Sequence, residues 1–175
     1  MTANECARPE RIDAIGSAPR TVSIIATPDE CAALATRFGL RAVEELSANL
    51  RLWRDASGII AEGQVRARVV QACVVTDESV AVAVEEPIAV RFVAAEALAS
   101  AADEIELTAD ALDTISYDGA TIDLGEAVAE TMALALDPFP RSPAAAAALA
   151  AAGIASEDST GPFGALAALR DKMKG

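Results

Sequence analysis

Asp123, Glu126 and Glu130 stand at i, i+3 and i+7, close to one face of a helix. Carboxylates in that register could hold Mg²⁺ or supply a general acid and a general base, the chemistry of a hydrolase or nuclease. The same residues also suit a helix start. Asp123 would be the N-cap, Glu126 would complete a capping box, and Glu130 would sit on the solvated side. The structural reading is the stronger of the two. Cys73 is a lone thiol at the end of an apolar run, and the 175 residues contain no histidine. Histidine general bases, Ser-His-Asp and Cys-His arrangements and histidine metal ligands are therefore absent together. Cys73 is expected as a small core residue rather than a nucleophile. Cys6 and Cys31 make no C-x-x-C pair with it, so free thiols are expected and a structural zinc is not. No G-x-G-x-x-G or G-x-x-x-x-G-K-[ST] occurs, and no cofactor is expected. An enzyme is the minority class.

The basic residues are few but ordered. Asn49, Arg51 and Trp53 alternate along one strand-like run, and Gln64, Arg66 and Arg68 along the next. If the two faces coincide, Arg51, Trp53, Arg66 and Arg68 make a surface able to touch phosphate and stack on a base. An ordinary solvated sheet face with one tryptophan on it is the simpler expectation. The formal net charge of −13 argues against holding nucleic acid by bulk electrostatics. That charge is local: residues 95–140 hold eleven acids and no base, while residues 1–94 hold thirteen acids and ten bases. The acidic stretch reads as a solvated connection and helix face, or as an arm that docks on a basic partner.

These residues need elements to position them. Residues 21–26 are β-branched and read as a strand. Thr27, Pro28 and Glu30 read as N-cap, first helical position and capping-box acid, and Gly39 as the stop. Alternation at 46–54 and 59–73, with short runs at 80–84 and 88–93, predicts about four strands joined by short turns. Short turns force antiparallel neighbours, so a meander with one wet face is expected. Residues 94–102 read as a short helix and 103–118 as an acidic loop with extended pieces such as 105–107. A second helix starts at Asp123, with Leu124, Val128, Met132 and Leu136 as its inner stripe, and Asp137-Pro138 stops it. Residues 144–152 form an alanine-rich helix ending at Gly153. A polar linker over 156–162 precedes a short helix over 164–174 carrying Leu166, Leu169 and Met173.

Fold class is therefore α+β: an antiparallel β-meander of about four to six strands, one helix in the N-terminal half and helices at the C-terminal end. Residues 1–143 are expected as one domain with 95–121 as its acidic connecting segment. Residues 144–175 follow as helix, linker and helix. The first twenty residues are charged throughout and read as no secretory leader, and no run is long enough to span a bilayer. A cytoplasmic monomer without membrane contact is expected.

The segment 117–143, YDGATIDLGEAVAETMALALDPFPRSP, resembles the signature of the YceD family, the large ribosomal RNA subunit accumulation proteins. Ile122, Asp123, Leu124, Glu130, Leu134, Ala135, Leu136, Pro138 and Pro140 carry the likeness. Upstream, GQVRARVVQACVVTDESVAVAVEEPIAVRF resembles the family's strand pair around its cysteine motif. Downstream, GPFGALAALRDKMKG resembles the family's tail at Pro162, Phe163, Leu166 and Leu169. Many members have C-x-x-C where this chain has Cys73-Val-Val-Thr76, a form similar to alphaproteobacterial-type members. Some also carry a cysteine or histidine after the proline-rich exit, which implies a metal clip that this chain lacks. The resemblance implies a role in synthesis, processing or stability of 23S ribosomal RNA, and establishes no catalysis. The implied partner is a ribosomal protein or assembly factor, with direct ribosomal RNA contact the weaker alternative. Leu166 and Leu169 on the last helix are candidate partner contacts, equally able to pack on their own domain.

Overall fold

A computed structural model describes residues 4–100 and 113–154, leaving aside the side chains of 98–100. In chain order the strands are β1 (Pro9–Arg11), β2 (Arg20–Ile25), β3 (Ala42–Asp55), β4 (Gly58–Ala72), β5 (Ser79–Ala94), β6 (Asp113–Tyr117) and β7 (Thr121–Asp123). The helices are α1 (Pro28–Phe38), α2 (Ala95–Ser100), α3 (Leu124–Leu134) and α4 (Ala145–Ala151). The described residues divide into two compact units, 4–71 with 81–100 and 113–138, and 72–80 with 139–154. The second unit takes in the turn after β4.

Helix α1 forms as its sequence dictates. The Thr27 hydroxyl accepts from the Glu30 N–H and the Glu30 carboxylate accepts from the Thr27 N–H, closing the capping box. Gly39 ends the helix at φ 65°, a left-handed conformation that glycine adopts without penalty. The main sheet has the order β2-β3-β4-β5-β6. β2 and β4 flank β3 antiparallel, and for β3 and β4 this is what their short connecting turn predicts. Two details differ from expectation. Residues 80–84 and 88–93 belong to one strand, β5, which runs straight through Glu85-Glu86-Pro87. β6 begins only opposite Val90, so Pro87, which has no N–H to donate, lies outside that ladder. β6 also runs parallel to β5, and a parallel neighbour requires a long crossover. Residues 95–112 connect the end of β5 to the start of β6, so the acidic connection has a topological task.

One face of the sheet is dry. Leu46, Ala48, Leu50 and Leu52 of β3, Ala61, Val65, Ala67 and Val69 of β4, and Val84, Ile88, Val90 and Phe92 of β5 are buried. They share one core with Cys31 and Leu34 of α1 and with Leu124, Val128 and Met132 of α3. The α3 stripe is as expected, although the helix ends at Leu134 and leaves Leu136 half-buried. A small second sheet, β1 with β7, was not signalled by the sequence. Its strands have three residues each and carry no alternation to read. The expected extended piece at 105–107, the linker at 156–162 and the helix at 164–174 lie outside the described residues.

Candidate functional site

Asp123 fixes the start of α3 and much else. Its Oδ1 accepts from the N–H of Gly125 at 2.9 Å and of Glu126 at 3.3 Å, the expected N-cap. The same oxygen accepts from the N–H of Arg8 at 2.8 Å, and Oδ2 accepts from the Asn4 amide at 2.8 Å. The N-terminal segment 4–8 is thereby strapped across the first turn of α3. Contact is so close that a Cβ on Gly125 would lie 1.7 Å from the Cys6 carbonyl oxygen. Arg8 in turn grips Glu30 with two parallel bonds of 2.6 and 2.8 Å, and donates to the Ile25 carbonyl. The Arg8 guanidinium and the Thr27 N–H hold the Glu30 pKa down at about 2.

Glu126 does not close a capping box. Its two oxygens face the Arg37 guanidinium at the end of α1, and Arg37 also bonds Glu5 at 3.1 Å. The Arg37 ion pair holds the Glu126 pKa below the usual carboxylate range. Glu130 hydrogen-bonds Glu126, and its pKa is raised by partial desolvation and by the Glu126 charge. The three carboxylates therefore lie together at the start of α3, but Asp123 and Glu126 are already engaged by N–H and guanidinium donors. Among the described residues no three His, Cys, Asp or Glu side chains converge on a point that could hold a metal ion.

Cys73 is 3% exposed and heads a tight turn in which Asp77 N–H donates to the Cys73 carbonyl. Its Sγ accepts from three backbone N–H groups: Val75 and Thr76 at 3.4 Å each, and Ser142 at 3.2 Å. Around it, Val74 N–H donates to the Pro140 carbonyl and the Thr76 and Ser142 hydroxyls meet at 3.0 Å. Burial raises the thiol pKa, but the surrounding donors outweigh it and bring it from 9.0 down to about 6. Thr76 stands where the resemblance implies a second cysteine, and here it closes the turn by hydrogen bonding instead. Burial pushes the pKa values of Cys6 and Cys31 the other way, upward.

The two arginine-bearing faces of the sheet do coincide. Asn49 lies opposite Gln64, Arg51 opposite Glu62, Ser47 opposite Arg66 and Glu45 opposite Arg68. Arg51 sits over the Trp53 ring at 5.6 Å. Acids are interleaved with the bases: Arg66 pairs with Glu85 at 2.8 Å, and Arg68 with Glu45 at 3.1 Å. Of the remaining motif residues, Ile122, Leu124 and Pro140 are buried, Pro138 is exposed, and Leu134 is 85% exposed. Phe163, Leu166 and Leu169 lie outside the described residues. Sequence reasoning missed Asn4, Arg8, Arg37 and Ser142, whose contacts span 119, 115, 89 and 69 positions. No helix among the described residues is long and apolar enough to cross a membrane.

A family model described as "Large ribosomal RNA subunit accumulation protein YceD" matches residues 61–170, more than half of the chain. Neither a curated protein nor a solved structure gives a match.

Proposed function

The chain belongs to the YceD family, whose role is in the accumulation of large-subunit ribosomal RNA, and from that premise we propose that it is a non-enzymatic accessory factor in large-subunit biogenesis. It supports synthesis, processing or stability of 23S ribosomal RNA by contacting a basic protein, a ribosomal protein or an assembly factor. The observation that carries this reading is the use the fold makes of the motif carboxylates. Asp123 is saturated by four donors and Glu126 is spent on Arg37. Neither is left to act on a substrate. The excess of acid supports a basic protein partner over phosphate. Removing the gene should lower mature 23S relative to 16S ribosomal RNA, and a Glu130→Gln chain should restore it. Unchanged 23S levels on removal would reject the role; failure of Glu130→Gln to restore them would reject its non-enzymatic character.

A second reading, direct RNA contact, is favoured by the Arg51–Trp53 stack on a face shared with Arg66 and Arg68. Purified chain should then bind a 23S fragment at low salt, and Trp53→Ala should weaken that binding by about 1–3 kcal/mol. Absence of binding at low salt removes this reading.

A further inference from the structure

The last turn of α3 runs beside the part of β5 that β6 does not cover, since β6 starts only at Asp113, opposite Val90. Between them is a cavity of about 190 Å³ with Pro87, Ile88 and Val90 on one wall and Leu134 on the other. Two observations set it apart. Leu134, at 85% exposure, is the most exposed large apolar side chain among the described residues. Every charged residue on the lining is an acid, Glu86 or Asp113, and neither carboxylate has a side-chain hydrogen bond or ion pair within the described residues. The last turn of α3 carries no basic residue, so the negative end of the helix dipole adds to both. An apolar centre with a charged rim of one sign is the composition of a contact patch.

We propose that this cavity docks a basic protein segment, one of whose apolar side chains fills the space against Leu134 and Ile88 while flanking Lys or Arg residues meet Glu86 and Asp113. The proposal rests on the protein-partner reading above and says where on the chain that partner sits. Charge complementarity selects the occupant: a second copy of this acidic chain would bring like charge to the rim.

The test is site-specific photocrosslinking. Benzoylphenylalanine replaces Leu134 in the full chain or, as control, Ile25, which is 72% exposed on the wet face of β2. Each is irradiated with the total protein extracted from purified large ribosomal subunits, and adducts are identified by mass spectrometry. Position 134 should capture one basic ribosomal protein that position 25 does not. Glu86→Lys with Asp113→Lys should cut that adduct about tenfold without shifting the thermal midpoint. If the double variant misfolds, Asp113→Asn alone should still lower the yield and raise its sensitivity to salt. An adduct between two copies, an adduct within one chain, no adduct, or an adduct indifferent to the charge changes each overturns the proposal. A tagged wild-type chain is incubated with the same extract in parallel. If it retains a basic protein while position 134 captures nothing, the cavity is wrong and the partner reading stands. If it retains none, the cavity proposal falls together with the ribosomal-protein form of the partner reading, and an assembly factor is the partner that reading has left.

Discussion

Asp123 and Cys73 solve one problem in two chemistries. Each collects the N–H groups of residues two and three positions on, Gly125 and Glu126 in one case and Val75 and Thr76 in the other. Each then takes one N–H from far along the chain, Arg8 or Ser142. A local turn is thereby tied to a distant segment by one side-chain acceptor. The carboxylate has a second oxygen and spends it on Asn4. The sulfur is larger and softer, and its bonds are longer, 3.2–3.4 Å against 2.8–3.3 Å. Both residue types invite a catalytic reading in sequence, and both are filled with backbone donors in the fold. The difference that remains is electrostatic: a thiol's capacity as an anionic acceptor depends on pH.

The hardest blow to the Asp123 side of this comparison leaves Asp123 intact. Gly125→Ala places a Cβ 1.7 Å from the Cys6 carbonyl oxygen, and the nearest atoms are all backbone. Segment 4–8 must lift off, which releases the Asn4 and Arg8 bonds together. The expected loss is at least about 3 kcal/mol, seen as a lower urea midpoint. A loss below about 1 kcal/mol, the scale of a surface substitution, would mean the strap contributes little. Asp123→Ala is the next largest. It removes the cap, worth about 1 kcal/mol, and leaves the Arg8 N–H without its acceptor, about 1–3 kcal/mol more. The strap can still lie down over Gly125, so its effect should fall below that of Gly125→Ala. The reverse order would show that the carboxylate, and not the close fit over Gly125, holds the segment.

Legibility follows range. Helix α1 can be read residue by residue because its cap, its box and its stop are all set by neighbours. The long strands are readable because one face is buried along their length and the alternation survives. Proline and paired acids at 85–87 mimic a strand break, yet β5 continues, because nothing in the local sequence says which ladder those residues belong to. The parallel placement of β6 was equally hidden, since it depends on a crossover rather than on the strand's own five residues. At the site, half of each anchor was visible. Asp123 as N-cap is a local statement; its hold on Arg8 is not. The turn that points two N–H groups at Cys73 is local as well, and the third donor arrives 69 positions later. Glu126 was misassigned for the same reason: Arg37, 89 positions away, offers a stronger partner than the N-cap N–H.

The pH test sharpens the comparison most, because it isolates charge. With its pKa lowered from 9.0 to about 6, the Cys73 thiol releases its proton more readily in the folded chain than in the unfolded one. Between those values the folded state binds fewer protons, so stability rises with pH. The contribution is complete above about 9 and is lost as pH falls through about 6. The urea midpoint of the wild type should climb across that window, and the climb should vanish in Cys73→Ala. The Cys73 Cβ chemical shift should titrate near pH 6. Thr76→Val keeps the backbone donors and removes the hydroxyl, one of the groups that lower the pKa, so its midpoint should move upward. A wild-type midpoint at or above 9.0, the ordinary value, would break the parallel. Cys73 would then be a buried neutral thiol in a turn that closes without it, and Asp123 alone would be a charged knot in this fold.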